Sequence, residues 1–331
     1  MITLRRLSAF YLCTLIVIFL LVLLSLCLGA VPISLSELLA SFRGDASLPA
    51  YKILRYVRLP RLCAAMLCGA SLSASGAIIQ SVLHNPLGSP NVLGMNAGAG
   101  LAVILCAAFF PFAPGILPLA AFFGAFGTLL LVCSLGKHAG NSRGAILLAG
   151  VAASTCFVAL SDAVMVFVPD TIYSRATFKI GSLSGVQMHM LFPAALVILF
   201  ALLLAFLLRH EIDLLALGEE SAHALGLPVT AVRFFALVLA ALLCGAGISF
   251  AGLVGFVGLI VPHCARMFVG SEMRHLLPAS LLLGVALVLL CDLLSRLVFA
   301  PHELPVGILL SLIGGPFFVM LLLKKKEMHR D

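Results

Sequence analysis

Charge is what this chain has least of. Only 10% of its 331 residues are Asp, Glu, Lys or Arg, against 63% hydrophobic, and the mean hydropathy is +1.22. That balance lies far from a soluble globular domain. The alternating apolar and polar pattern of a membrane β-barrel is absent. No Cys-x-x-Cys pair occurs among the ten cysteines, and most of them fall inside apolar runs, where they read as small buried side chains. No Gly-x4-Gly-Lys-Ser/Thr phosphate loop occurs either. Lys137 follows a glycine but lacks the rest of that frame, so the chain alone cannot cradle ATP phosphates. The net charge of +7 is modest, and no basic face is clustered enough to hold nucleic acid. The one run, Lys324-Lys325-Lys326, follows an apolar segment and reads as an anchor beside anionic lipid.

What is present is a series of apolar windows, each long enough for a bilayer core of about 30 Å. In lipid such windows become helices. We place ten spans at about 7–31, 62–83, 92–110, 119–135, 145–168, 191–208, 234–250, 253–267, 277–299 and 306–323. The first is too long for the core of a signal peptide and is kept as a helix. Polar segments at 32–61 and 169–190 read as connections.

The chain also repeats itself. Leu67-Cys68-Gly69-Ala70-Ser71 and Leu243-Cys244-Gly245-Ala246-Gly247 stand 176 positions apart. Gly76 and Gly252, then Pro86 and Pro262, keep the same offset. An internal repeat in a polytopic membrane protein points to a transporter built from two halves. With ten spans both termini share a side. Placing them inside puts 12 of the 20 Lys and Arg residues on inner segments and 8 on outer ones, which favours cytoplasmic termini. Spans two and seven then run oppositely, and the repeat is an inverted one.

The segment 209–233 is too polar to cross a membrane and too patterned for a plain loop. Gly218 and Gly226 divide it into two short helices, each with an apolar side. Two readings stand: a helix pair that docks into a partner's groove, or one that lies on lipid. Charges within membrane spans are costly and usually functional. Asp162, Asp292 and Arg296 are of this kind. Asp292 and Arg296 stand four residues apart on one helix, which fits an internal ion pair. They also lie near the outer end of span nine, where Arg296, with Arg58 of span two, could offer a cation to an approaching protein. His263 has no second ligand at helical spacing and reads as a helix-end histidine.

Three blocks of residues carry a resemblance. The first is Arg58-Leu59-Pro60-Arg61, Gly69-Ala70, Ser75-Gly76, Gln80, Asn85-Pro86-Leu87 and Leu93-Gly94. The second is Leu217-Gly218-Glu219-Glu220-Ser221-Ala222 with Leu225-Gly226. The third is Gly255 to His263 with Arg266, followed by Leu276-Leu277-Pro278, Asp292, Arg296, Glu303-Leu304-Pro305-Val306-Gly307 and Gly314 to Phe317. Together they resemble the FecCD family, the permease subunits of ABC importers for iron-siderophore, haem and cobalamin, in the family's order and over nearly the whole chain. Many members carry tryptophan in the external loop before span six. This chain has none, and Gly181-Ser182-Leu183 matches that loop only in part.

The resemblance implies an all-α, BtuC-like permease of about ten helices. Residues 1–331 would form one transmembrane domain, with repeat halves at about 58–190 and 233–323 and a cytoplasmic coupling segment at 209–233. It implies pairing with a second permease copy around a pathway, two cytoplasmic ATPase subunits, and an extracytoplasmic substrate-binding protein. Leu217, Gly218, Glu219, Glu220, Ser221, Ala222, Leu225 and Gly226 would sit on the ATPases. Arg58 and Arg296 would meet carboxylates of the binding protein. No cofactor and no resident metal are expected, and the cargo expected first is a ferric siderophore, then haem or cobalamin. The rival reading, an autonomous secondary transporter or channel, needs an intramembrane ion relay. Asp162 and Asp292 are too few and too far apart to make one. An intramembrane enzyme would need a nucleophile and base that the sequence does not offer.

Overall fold

A backbone N–H in hydrocarbon finds no water, so an apolar chain must close its hydrogen bonds along itself. The computed structural model describes residues 4–29, 31–43, 49–140, 142–298 and 302–327, and among them every regular element is a helix. The side chains of 318–327, Lys324 to Lys326 included, and the expected end of span nine at 299 lie outside the described residues. In chain order the helices are α1 (Leu4–Cys27), α2 (Leu35–Phe42), α3 (Pro49–Ile53), α4 (Leu59–Val82), α5 (Met95–Phe109), α6 (Leu117–His138), α7 (Arg143–Phe167) and α8 (Thr171–Ile180). They continue with α9 (Met188–Leu207), α10 (Arg209–Ala216), α11 (Glu219–Ala224), α12 (Val229–Ala251), α13 (Val257–Val269), α14 (Met273–Leu297) and α15 (Val306–Glu327).

Ten of these correspond to the ten expected spans. Seven are long and apolar enough to cross a membrane, and α5, α13 and the apolar part of α15 are shorter. The polar connections hold more structure than their composition suggests. Residues 32–61 contain α2, α3 and a π-helical turn, Leu54–Arg58, that runs straight into α4. The Ser34 hydroxyl accepts from the Glu37 N–H, and the Glu37 carboxylate accepts from the Ser34 N–H, so α2 begins on a capping box. Residues 169–190 contain α8.

Pairs of contacts give the helix directions. The Ser75 hydroxyl donates to the Ala240 carbonyl at 2.7 Å, while a Cβ on Gly247 would fall 2.5 Å from Ser71 Oγ. Numbers rise along α4 as they fall along α12, so the two run antiparallel. Arg61 meets Asp292 and Gly69 meets Gly284, which makes α4 and α14 antiparallel too. Gly76 meets Gly258 and Arg266 reaches Ser81, so α13 is parallel to α4. Tyr11 donates to the His275 carbonyl and Arg296 to that of Ser25, so α1 is parallel to α14. Spans that alternate in direction require all four results. The opposed run of α4 and α12 is that of an inverted repeat.

The core sits on α4. Of the apolar window within Pro49–Val82, 83% is buried, against 22% for α7, which places α4 at the centre and α7 at the edge. Glycine makes that centre possible. A Cβ on Gly76 would lie 1.8 Å from the Gly258 carbonyl oxygen, and one on Gly69 would lie 2.3 Å from that of Gly284. Both helices approach backbone to backbone, as small residues permit in membranes. Helix α13, with 13 residues, covers only about 20 Å of a core about 30 Å thick. At the turn before it α8 folds onto the chain: the Leu253 N–H donates to the Phe178 carbonyl at 2.9 Å.

Candidate functional site

The two ends of the bundle carry different chemistry. At one end stand α10 and α11, and sequence dictates their break. Gly218 has φ +113° and ψ 153°, a conformation that essentially only glycine adopts. Gly226, at φ +81°, closes the second helix, its N–H donating to the His223 carbonyl at 2.9 Å. The inner side of the pair is apolar: Ile212, Leu215 and Ala222 are fully buried. The outer side is apolar as well, for Leu217 and Leu225 are each 64% exposed. Glu220, Ser221 and Gly226 are exposed beside them.

Four attachments fix the segment to the bundle. Glu219 Oε1 lies 3.2 Å from Arg143 Nε at the start of α7 and 2.6 Å from Arg233 Nη2 in α12. Arg143 also donates from Nη2 to the Leu215 carbonyl at 2.9 Å. Asp213 Oδ1 accepts from the Met273 N–H at 2.8 Å, so α10 caps α14. Burial pushes the Asp213 carboxyl above its ordinary range. The Met273 hydrogen bond opposes that shift, and the charge of Glu272 adds to it. Of these anchors the sequence singled out Glu219 alone. Arg143 and Arg233 entered it only as positive charges on inner segments, because the chain gives no sign that one carboxylate gathers both.

At the other end lies a buried charge cluster. Arg61 Nε sits 2.8 Å from Asp292 Oδ1, and Arg61 Nη1 sits 2.6 Å from Glu303 Oε2. Arg296 Nη2 lies 3.1 Å from Asp292 Oδ2. Asp292 thus serves two guanidinium groups while only 1% exposed. Arg58 donates to the carbonyls of Leu26 and Val31, and Arg296 to those of Ser25 and Leu28 and to the Ser25 hydroxyl. Both arginines are 5% exposed. Their guanidinium groups are spent on the last turn of α1, on the loop that leaves it and, for Arg296, on Asp292, not offered to the surface. Arg61 and Glu303 are the members of this cluster that the sequence gave no role of their own. Each sat in a quoted motif, yet only the packing of α4 on α14 shows why. Elsewhere, Asp162 stands exposed on α7, and His263 lies half-buried near the ring of Phe317.

Comparison with known proteins decides the family. Residues 15–324 match the FecCD transport family. The chain belongs to the FecCD transport family. It is 37% identical to the Fe(3+) dicitrate transport system permease protein FecD of Escherichia coli (strain K12), over 92% of this chain and 95% of that protein. It is 36% identical to the hemin transport system permease protein HmuU of Yersinia pestis, over 91% of each. A solved structure described as an inward-facing conformation of a metal-chelate type ABC transporter superposes with a TM-score of 0.85 at 28% identity, covering 97% of this chain and 100% of that one. FecCD proteins are permease subunits of ABC importers and are not themselves enzymes. This FecCD chain is accordingly an all-helical integral membrane permease with the BtuC-like fold.

Proposed function

We propose that this permease carries a metal chelate across the cell membrane, with a ferric siderophore as first cargo and haem or cobalamin next. Two ATPase subunits drive it, an extracytoplasmic protein feeds it, and both termini face the cytoplasm. The observation that carries the reading is the α10–α11 segment. It is rigidly anchored yet shows Leu217 and Leu225 to the outside, which fits insertion into a partner better than a helix lying loosely on lipid. Leu217, Glu220, Ser221, Leu225 and Gly226, exposed along the Leu217 to Gly226 segment, then form the ATPase contact, while buried Ala222 and paired Glu219 hold that segment to the bundle. Force on Glu219 reaches α7 and α12 through Arg143 and Arg233.

A second copy of the permease completes the pathway in this reading. Asp162 supports it: an exposed carboxylate on an apolar span is costly against lipid, so its face belongs toward protein or a water-filled path. The relatives named as ferric dicitrate and hemin permeases support a chelate cargo. The Arg58 end is the docking end for the binding protein. Since both arginines are buried, they act by holding the carbonyls of Ser25, Leu26, Leu28 and Val31 in place, and so set the shape that the binding protein meets. The one-domain division, with halves at 58–190 and 233–323 around a coupling segment at 209–233, belongs to the same proposal.

The test is uptake by proteoliposomes holding the permease, its ATPase and its binding protein. Radiolabelled ferric siderophore, haem and cobalamin are offered in parallel. Uptake of one chelate that needs both partners and ATP is expected. Uptake by the permease alone under an ion gradient would instead establish the autonomous transporter.

A further inference from the structure

A groove of about 790 Å³ opens between α6 and α12, at the same end of the bundle as α10 and α11. Its wall is apolar, with Leu130, Phe234 and Phe235. Its rim is basic and polar: Lys137 from the last turn of α6, Arg233 from α12, and His223 from α11. Among the described residues no carboxylate lines it. From Leu130 to Lys137 the helix rises about 10 Å, the distance from the upper acyl region to the headgroups.

We propose that this groove binds one anionic glycerophospholipid, its phosphodiester at Lys137 and the rim of α12 and an acyl chain along Leu130, Phe234 and Phe235. Three observations argue for that occupant. The volume lies within the range of small-molecule sites, about 300–1,000 Å³. The groove is formed by the ends of two spanning helices, where a lipid arrives from the side. The exposed charge at the rim is Lys137, Arg233 being buried and paired with Glu219, and basic pockets between membrane helices select anionic headgroups. Arg233 also holds Glu219 of the α10–α11 segment, so bound lipid touches the element proposed to meet the ATPase. The site itself rests only on the membrane placement of the chain and stands whether or not that docking does.

Native mass spectrometry of the purified full chain tests it, with phosphatidylglycerol, phosphatidylcholine and inorganic phosphate added separately and together. One phosphatidylglycerol per chain should survive activation that strips phosphatidylcholine. Lys137→Ala should lower its affinity about fivefold, the worth of one basic residue near a lipid surface, and Ala231→Trp, which fills the groove, should abolish the retained lipid. Lys179→Ala at the opposite end of the bundle should leave it unchanged. Equal retention of both lipids would overturn the proposal, as would displacement of the lipid by inorganic phosphate. Unchanged binding in Lys137→Ala would do the same. If Ala231→Trp keeps the lipid but dissociates the dimer, the groove is an interface between copies and the proposal fails.

Discussion

Replacing Asp292 by Asn should destabilise the permease by about 3 kcal/mol. The side chain is 1% exposed, and its two oxygens each face a guanidinium, Arg61 at 2.8 Å and Arg296 at 3.1 Å. Asparagine keeps the volume and removes the charge, which leaves two buried cations without their shared anion. Breaking a buried pair in this way costs about 3–5 kcal/mol. The lower end applies here, because Arg61 keeps Glu303 at 2.6 Å and Arg296 keeps the Ser25 hydroxyl. By contrast, a surface pair is worth at most about 1 kcal/mol. The assay is a denaturant titration in mixed micelles, read by the thiol reactivity of buried Cys68, Cys244 and Cys291. The penalty should persist from 0.1 M to 1 M salt, since a buried pair is little screened. A loss below about 1 kcal/mol, or one that salt erases, would show that water reaches the cluster and that the reasoning from burial is wrong.

Gly76→Leu should prevent native assembly, because its Cβ meets the Gly258 carbonyl oxygen of α13 at 1.8 Å, whereas Gly100→Ala, with nothing within 4 Å, should fold normally; monodisperse yield in detergent compares the two. Gly314→Val should displace the ring of Phe256, whose Cγ lies 2.2 Å from the Cβ position. Phe256 itself sits at φ +66°, so losing that packing should free a strained turn and speed hydrogen exchange in 252–257. Asp213 gives a pH signature. Burial raises its folded pKa, so the folded state binds the proton more tightly than the unfolded chain. Its contribution is therefore fully present at low pH and is lost as pH rises through that raised value, above the ordinary aspartate pKa of about 3.9. Asp213→Asn should flatten the stability profile in that window, and an unchanged slope would contradict the assignment. The groups that face it, Glu272, His210 and Arg209, remain in place in that variant.

Much of the fold was legible because lipid leaves few choices. An apolar window of about 20 residues has only the helix open to it, and each of the ten windows corresponds to one. The short helices in polar connections were not legible. Helix α2 rests on Ser34 and Glu37, a cap too brief to stand out in a charged loop, and α8 shows no long periodic run. The repeat misled in one respect. Gly76 and Gly252 keep step in sequence, yet Gly76 lies inside α4 against α13, while Gly252 stands just past the end of α12. The same residue type serves close packing in one copy and a positive φ of 71° in the other. For the candidate sites, the exposed residues of α10 and α11 could be named from sequence. Their anchors, Arg143 and Arg233, come from helices remote in the chain. Arg58 and Arg296, expected at one end of the bundle, do meet there around the end of α1, but a sequence carries no record of which carbonyls an arginine finds.

The central claim is that the segment around Gly226 passes the ATPase stroke to the membrane helices. The most direct measurement is the ratio of chelate transported to ATP hydrolysed by the reconstituted complex, wild type against Gly226→Pro. Proline holds φ near −65°, whereas Gly226 needs +81° and an N–H for the His223 carbonyl. The account predicts that the variant inserts and binds its ATPase, hydrolyses ATP, and transports at less than about a tenth of the wild-type ratio. A wild-type ratio in that variant would show that the segment does not carry the stroke.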